Sequence, residues 1–323
     1  MREAHFIDKN KSKWLDIETN LKNKSTIHPD ILSNNYVELT NDLAYAQTYY
    51  PNSKTKDYLN ELALFAHQTL YKDRKMDQNQ LIEFFKYKAP KAIYINRKML
   101  LYAFLIFGFF TLIGLLSSAY DVNFVRQILG NQYVDESIAN IKKGDPAAIY
   151  KGGSTIGSAI GITLNNIGVA FSAFASGIFF GLRTGYILMQ NGIMLGAFHY
   201  MFYQHGVLGK AMSGIWIHGT IEISVIIIAG ACGLIIGTSV LFPKTLKRIE
   251  NLKIKTKEAI SILITTIPLF IVAGFLEGFV SRLYDVHILL SLSIIILSLA
   301  LILFYYVYYP YSLAKKHQWT TSI

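Results

Sequence analysis

Residues 218–242 read HGTIEISVIIIAGACGLIIGTSVLF, and no residue after Glu222 in this stretch carries a charge. A helix of this length spans about 37 Å, which exceeds the hydrocarbon core of a bilayer, about 30 Å thick. The stretch therefore predicts a membrane-spanning helix. His218 and Glu222 are four residues apart, so they share one face at the start of that helix.

The composition agrees with a membrane protein. Of 323 residues, 52% are hydrophobic and 14% aromatic, which is too apolar for an ordinary soluble domain. The formal charge of +10 comes from basic residues beside apolar segments, so it indicates membrane orientation rather than nucleic-acid binding. The single cysteine, Cys232, excludes an intrachain disulfide and a thiolate metal cluster.

We expect an all-α fold, a polytopic membrane bundle of six transmembrane helices with an N-terminal cytoplasmic helical domain. The membrane domain covers residues 99–311. Its predicted spans are residues 99–119, 155–182, 184–203, 214–242, 259–276 and 288–309, and apart from Glu222 in the fourth they contain no acidic residue, lysine or arginine. Pro268 predicts a kink in the fifth span.

Loop charges predict the orientation. Short cytoplasmic loops collect lysine and arginine. Such residues crowd positions 244–257 and recur at Lys315 and Lys316, whereas loop 121–153 balances four acidic against four basic residues. We therefore expect a cytoplasmic (inner) membrane protein with both termini and the tail 312–323 inside, and with loop 121–153 outside. Five apolar residues of this loop predict an amphipathic helix on the outer surface: Val122, Phe124, Val125, Ile128 and Leu129.

Residues 1–80 predict a cytoplasmic helical domain, since apolar residues recur there at helical spacing between charges. The first helix shows this spacing at Phe6, Trp14, Ile17 and Leu21. Residues 81–98 mix aromatic and basic side chains, which is typical of a juxtamembrane amphipathic helix on the inner membrane surface. A solvated connector helix is the open alternative for this segment.

Glycines recur four residues apart within the predicted spans. This spacing lets a second helix approach closely. The glycines expected to serve in helix packing are Gly157, Gly161, Gly177, Gly181, Gly185, Gly192, Gly196, Gly233 and Gly237. We expect them to act mainly within one chain, and a homodimer seam is the alternative.

Polar side chains inside spans are costly and indicate a functional site by default. Helix depth, at about 1.5 Å per residue, places six of them toward the outer half of the bundle. They are Asn165, Asn166, His199, His218, Glu222 and Glu277. One hypothesis is a polar cavity in which the glutamates hold or relay a cation or proton and the histidines titrate. The other is that His218 and Glu222 lie at the water interface, or pair with each other and fix helix register.

The sequence favours no enzymatic function. It lacks the HExxH zinc-protease motif, the Gly-x-Ser-x-Gly elbow and the spacing of a phosphate-binding glycine loop. We therefore expect no catalytic residue, no metal site and no cofactor.

Several of these residues together resemble the stage II sporulation protein M family over roughly residues 1–310. In the soluble part the resemblance rests on Trp14, Ile17, Glu18, the stretch 36–46, Tyr58-Leu59-Asn60, His67, Leu70-Tyr71 and Phe84-Phe85. In the membrane part it rests on Asn165-Asn166, the stretch 177–181, Asn191-Gly192, Leu195-Gly196 and His218-Gly219-x-x-Glu222. The family often has a proline directly before the histidine, where this chain has Ile217, so a helix break is less expected here.

The resemblance implies a role without catalysis. Sporulation members of the family act as membrane partners of peptidoglycan-remodelling enzymes, which implies a non-enzymatic scaffold or assembly factor of the cell envelope. Its partners would be the lipid bilayer and a membrane or envelope protein. The polar residues support the alternative, a transporter or channel for a small ion or solute.

Overall fold

All regular structure in the described part of the chain is helical. The structure is a computed structural model, and it describes residues 3–22, 29–72, 78–121, 123–144, 155–243, 245–280 and 288–319. Within these ranges every element is a helix and none is a strand, so the all-α prediction is confirmed. The chain divides into two compact units, Met1–Leu81 and Ile82–Ile323.

The first unit is built from three helices: α1 (Glu3–Lys22), α2 (Pro29–Tyr49) and α3 (Lys54–Lys72). A short helix, α4 (Gln78–Glu83), follows in the sequence and contains the boundary between the two units. The four apolar residues that the spacing in the first helix singles out are all buried: Phe6, Trp14, Ile17 and Leu21. The predicted core face of α1 is therefore confirmed.

Polar groups at this core have charged partners. Trp14 Nε1 donates a hydrogen bond to Asp42 Oδ2 at 2.8 Å, and Lys13 Nζ lies 2.5 Å from the same oxygen. The Tyr58 hydroxyl donates to Glu18 Oε2 at 2.8 Å. Burial, together with this hydrogen bond, raises the pKa of Tyr58 to about 12.

The second unit is a larger helical bundle. Its helices are α5 (Ala89–Ile95), α6 (Arg97–Tyr120), α7 (Phe124–Leu129), α8 (Asn131–Lys142), α9 (Thr155–Ala175), α10 (Leu182–Gln204), α11 (Leu208–Leu241), α12 (Arg248–Ile264), α13 (Ile267–Phe275), α14 (Ile288–Leu303) and α15 (Tyr309–His317). Three π-helical turns interrupt it at Phe84–Lys88, Leu276–Val280 and Phe304–Tyr308.

Four helical segments among the described residues are long and apolar enough to cross a membrane. They are Arg97–Tyr120, Leu208–Leu241, Arg248–Phe279 and Ile288–His317. The membrane character of the chain is therefore confirmed. Helices α9 and α10, which cover the predicted spans 155–182 and 184–203, are not among these four, so the six crossings remain a prediction.

Helix α11 forms the centre of the second unit. It contacts α6, α9, α10, α12, α13 and α14. In its most apolar stretch 67% of the residues are buried, against 11% for the segment Ile288–His317. Its 34 residues continue without a break past Ile217, as expected where the proline is absent. The helix begins at Leu208, six residues before the predicted start of this span.

The predicted kink at Pro268 is confirmed. Helix α12 ends at Ile264 and α13 begins at Ile267, because a proline cannot donate to the preceding turn and its ring crowds the carbonyl four residues earlier. The hydroxyl of Thr265 at this break donates to the Ile262 carbonyl and lies 2.6 Å from the Tyr306 hydroxyl.

Helices α7 and α8 pack onto one end of α10 and α11, and we call them the cap. Their apolar contacts form a buried cluster of Val125, Val134, Met201, Phe202 and Ala211. The helix predicted here is α7, and Val125 on it is buried because it packs against α10 and α11. Its place on the outer surface stays a prediction. Residue Val122 and residues 145–153 of the predicted loop lie outside the described ranges.

Another part of the second unit, which we call the collar, is formed by residues 84–98 and 304–317. Each of its two parts contains a π-helical turn followed two residues later by a proline. The sequences are FFKYKAP at residues 84–90 and FYYVYYP at residues 304–310. The π-helical geometry here accompanies the missing proline N–H in both places.

Two tyrosines join the two parts of the collar. Pro90 has no N–H, which would otherwise bond the Lys86 carbonyl in an α-helix or the Phe85 carbonyl in a π-helix. The Tyr305 hydroxyl donates to Phe85 O at 2.9 Å, and the Tyr309 hydroxyl donates to Lys86 O at 3.0 Å. The second part of the collar thus donates to both carbonyls that could lose a donor at Pro90.

Candidate functional site

The candidate site begins with the polar island of α11. His218 and Glu222 lie on one face of this continuous helix, one turn apart, and only 3% and 7% of their surfaces are exposed. Thr220 between them bonds back to its own helix, since its hydroxyl donates to the Trp216 carbonyl at 2.7 Å. Both chemically active side chains therefore point into the bundle.

Glu222 meets the side chain of Asn166 on α9. The two side chains form a hydrogen bond. The other carboxyl oxygen, Glu222 Oε1, is buried and has no hydrogen-bond partner among the described residues. The neighbouring Asn165 is exposed, so only one of the two predicted asparagines faces the carboxyl group.

Glu277 reaches the same face of α9. It is 4% exposed and lies in the π-helical turn Leu276–Val280, a geometry that often marks functional positions. Its Oε2 is 3.4 Å from Thr163 Oγ1. Thr163 and Asn166 are three residues apart and share one side of α9. This helix therefore connects the carboxyl groups of Glu222 and Glu277.

This arrangement allows a defined chemistry. An ionised carboxylate in apolar surroundings is costly, so a proton or a cation held at either glutamate would stabilise it. The surrounding oxygen atoms, from Thr163, Asn166 and the two glutamates, are the donors that hard cations prefer. Within the described ranges, no three His, Cys, Asp or Glu side chains come together as metal ligands.

His199 has a different environment. Its Nδ1 donates to the Leu195 carbonyl at 2.7 Å, and its Nε2 accepts a hydrogen bond from Trp216 Nε1 at 3.1 Å. Trp216 precedes His218 by two residues and therefore projects from the opposite side of α11. His199 therefore contacts Trp216 on one side of α11, whereas Glu222 contacts α9 from the other side.

Several of the predicted packing glycines lie directly against another helix backbone. A Cβ added at Gly177 would overlap the carbonyl of Gly233, and one added at Gly237 would overlap the backbone of Gly181. Gly181 also adopts a φ of 77°, which favours glycine. A hydrogen bond from Thr184 Oγ1 to Ala173 O, at 2.8 Å, borders this contact.

A second set of close contacts joins α10 to α6. A Cβ added at Gly192 would lie 2.7 Å from the Phe107 carbonyl, and one added at Gly196 would overlap the Thr111 carbonyl. In contrast, Gly161 and Gly185 face open space, and the surroundings of Gly157 lie outside the described part of the structure. The contacts that are described join helices of one chain, and a homodimer stays a prediction.

Sequence reasoning missed three residues that the site and the packing use. Thr163 bonds Glu277, Gly114 lies against the Ile193 backbone, and Gly230 lies against the Leu188 side chain. Thr163 could have been found because it is three residues from Asn166, the spacing of one helix face. Neither Gly114 nor Gly230 has another glycine four residues away, so the spacing did not indicate them.

Comparison with known proteins gives two family matches. A family model described as "Stage II sporulation protein M" matches residues 103–282, more than half of the chain. A second model, described as a domain of unknown function (DUF8413), matches residues 4–72. No curated protein and no solved structure matches the chain.

Proposed function

Because the chain belongs to the stage II sporulation protein M family, we propose that it is a non-enzymatic membrane scaffold that holds a cell-envelope enzyme. The observation that carries the proposal is the cap. Its helices α7 and α8 are packed onto the end of α10 and α11, so they present a fixed surface instead of a loose loop.

The cap is tied down by polar contacts as well as by its apolar cluster. Arg126 Nη2 lies 2.7 Å from Asp135 Oδ1, which links α7 to α8. Lys210 at the start of α11 donates to the Gly144 carbonyl at 2.7 Å, beyond the end of α8. The side of α8 that faces away from the bundle is exposed at Gln132, Glu136 and other positions, so it is accessible to a protein partner.

The orientation belongs to the same proposal. Six crossings, residues 1–80 in the cytoplasm and the cap outside would place this surface where envelope enzymes act. Single cysteines at two exposed positions test it: Asn131→Cys on the cap and Lys253→Cys on α12. The first should react with an impermeant thiol reagent on intact cells, and the second only after lysis. The reverse pattern would refute this topology.

A partner test follows from the same geometry. A photoreactive residue in place of Glu136 should crosslink a peptidoglycan-remodelling enzyme in intact cells. The matched control replaces Lys91, which is equally exposed but lies in the collar. Crosslinking of the same enzyme from both positions, or from neither, would contradict a partner surface on the cap.

A second candidate function is passage of a proton or small cation. The observation that favours it is that Glu222 and Glu277 each contact the same side of α9, at Asn166 and Thr163, and that Glu222 Oε1 is buried without a hydrogen-bond partner among the described residues. Protein reconstituted in liposomes should then conduct, and Glu222→Gln or Glu277→Gln should abolish the flux. Absence of flux in the wild type would remove this candidate and leave the scaffold proposal intact.

A further inference from the structure

The ends of three candidate spans meet at the collar. Helix α5 contacts α6, α12 and α15, which begin or end the segments Arg97–Tyr120, Arg248–Phe279 and Ile288–His317. The collar's basic residues, all at least partly exposed, are Lys86, Lys88, Lys91, Arg97, Lys98, Lys315 and Lys316. Positive charge is thus concentrated where apolar helices leave the bilayer core.

Nearby acidic groups are already engaged. Glu83 lies 3.4 Å from Lys88. Glu258 on α12 accepts hydrogen bonds from Lys255 at 2.7 Å and from the buried Asn96 at 2.8 Å. In contrast, Lys91 and Lys98 form no ion pair with a described residue. The charge on these two lysines is therefore available to an external anion.

Aromatic rings order part of this basic surface. The Arg97 guanidinium lies over the Tyr94 ring, 4.3 Å from its centroid, and Nη1 donates to the Tyr94 carbonyl at 2.9 Å. The Tyr94 ring is in turn 6.2 Å from the rings of Tyr311 and Trp319. Tyrosine and tryptophan beside basic residues are typical of the headgroup region of a membrane.

We propose that the collar binds the headgroups of anionic phospholipids. The negative phosphate complements the lysines and Arg97, and the acyl chains would continue along the exposed apolar surfaces of α6 and α14. Joined by the bonds from Tyr305 and Tyr309, the two parts of the collar present this charge on one surface. The inference does not depend on the partner or the transport proposed above.

The test measures lipid retention by the full-length protein. Purified protein is exposed in detergent to equal amounts of phosphatidylglycerol and phosphatidylcholine, and bound lipids are counted by native mass spectrometry. Wild type should retain phosphatidylglycerol preferentially. The double change Lys91→Gln with Lys98→Gln should lower this preference at least about fivefold, the factor that corresponds to about 1 kcal/mol for one basic residue near the headgroups.

The matched control removes the same charge from the cap. Lys142→Gln with Lys143→Gln alters two exposed lysines and should leave the preference unchanged. Size-exclusion chromatography checks that each variant is folded, and Lys315→Gln with Lys316→Gln gives a second collar variant if the first is not. No preference in the wild type, or equal losses in collar and cap variants, would overturn the proposal.

Discussion

The two units bury different kinds of groups. The interior of the first contains large aromatic side chains such as Trp14, with polar atoms bonded to charged partners such as Asp42. In the second, helices meet through glycine, as at Gly177 and Gly233. Large side chains are stabilised where they leave water, whereas helices in lipid gain mainly from close packing. The two interiors therefore differ in the contacts that hold them together.

The largest expected effect is in the first unit. Trp14→Ala should destabilise it by about 3–5 kcal/mol, because the change leaves a cavity and removes the hydrogen bond to Asp42. Hydrogen exchange over residues 3–72 of the full-length protein measures this. The adjacent Leu15 is 49% exposed, so Leu15→Ala is the control and should have little effect. Equal effects would mean that the first unit lacks the core described here.

In the second unit, the damaging change is the replacement of a small residue by a larger one. Gly233→Ala should cost about 1–3 kcal/mol, since the added methyl group would overlap the Ala173 carbonyl and Thr184. Thermal unfolding in detergent measures the cost. Gly185→Ala adds the same group where space is open, and it should leave the melting temperature nearly unchanged. If both variants melt alike, glycine contacts do not hold this unit together.

A smaller effect sharpens the contrast through pH. The Tyr58 pKa of about 12 exceeds its ordinary value of 10, so its contribution to stability is complete below pH 10 and is lost as the pH rises toward 12. Tyr58→Phe should therefore destabilise the first unit by about 1 kcal/mol at pH 8, the value of one hydrogen bond. Hydrogen exchange at pH 8 and pH 11 should show the difference from wild type shrinking. A difference that stays constant would mean that folding does not raise the pKa of Tyr58.

Patterns along single helices were predictable from the sequence. The core face of α1 follows from helical spacing, and the break before Pro268 follows from the missing N–H. Long-range partners were not predictable to the same degree, because they depend on how each helix is rotated. Asn165 and Asn166 are adjacent, yet only Asn166 faces Glu222, and no property of the pair distinguishes them.

The polar site shows the same limit. Helix depth alone grouped His199 with His218, but the His199 ring accepts a hydrogen bond from Trp216, which lies on the other side of α11. Glu277 lies near the end of the segment Arg248–Phe279, and the π-helical turn that carries it has no simple sequence signal. Helix depth predicts which residues share a level, and only packing decides which of them meet.

The most direct test of the scaffold proposal is the pair of photocrosslinking positions at Glu136 and Lys91 in intact cells. The proposal predicts that a peptidoglycan-remodelling enzyme is captured from Glu136 on the cap and not from Lys91 on the collar. Capture of no envelope enzyme at Glu136 would contradict the scaffold, and ion flux that Glu222→Gln abolishes would then favour transport.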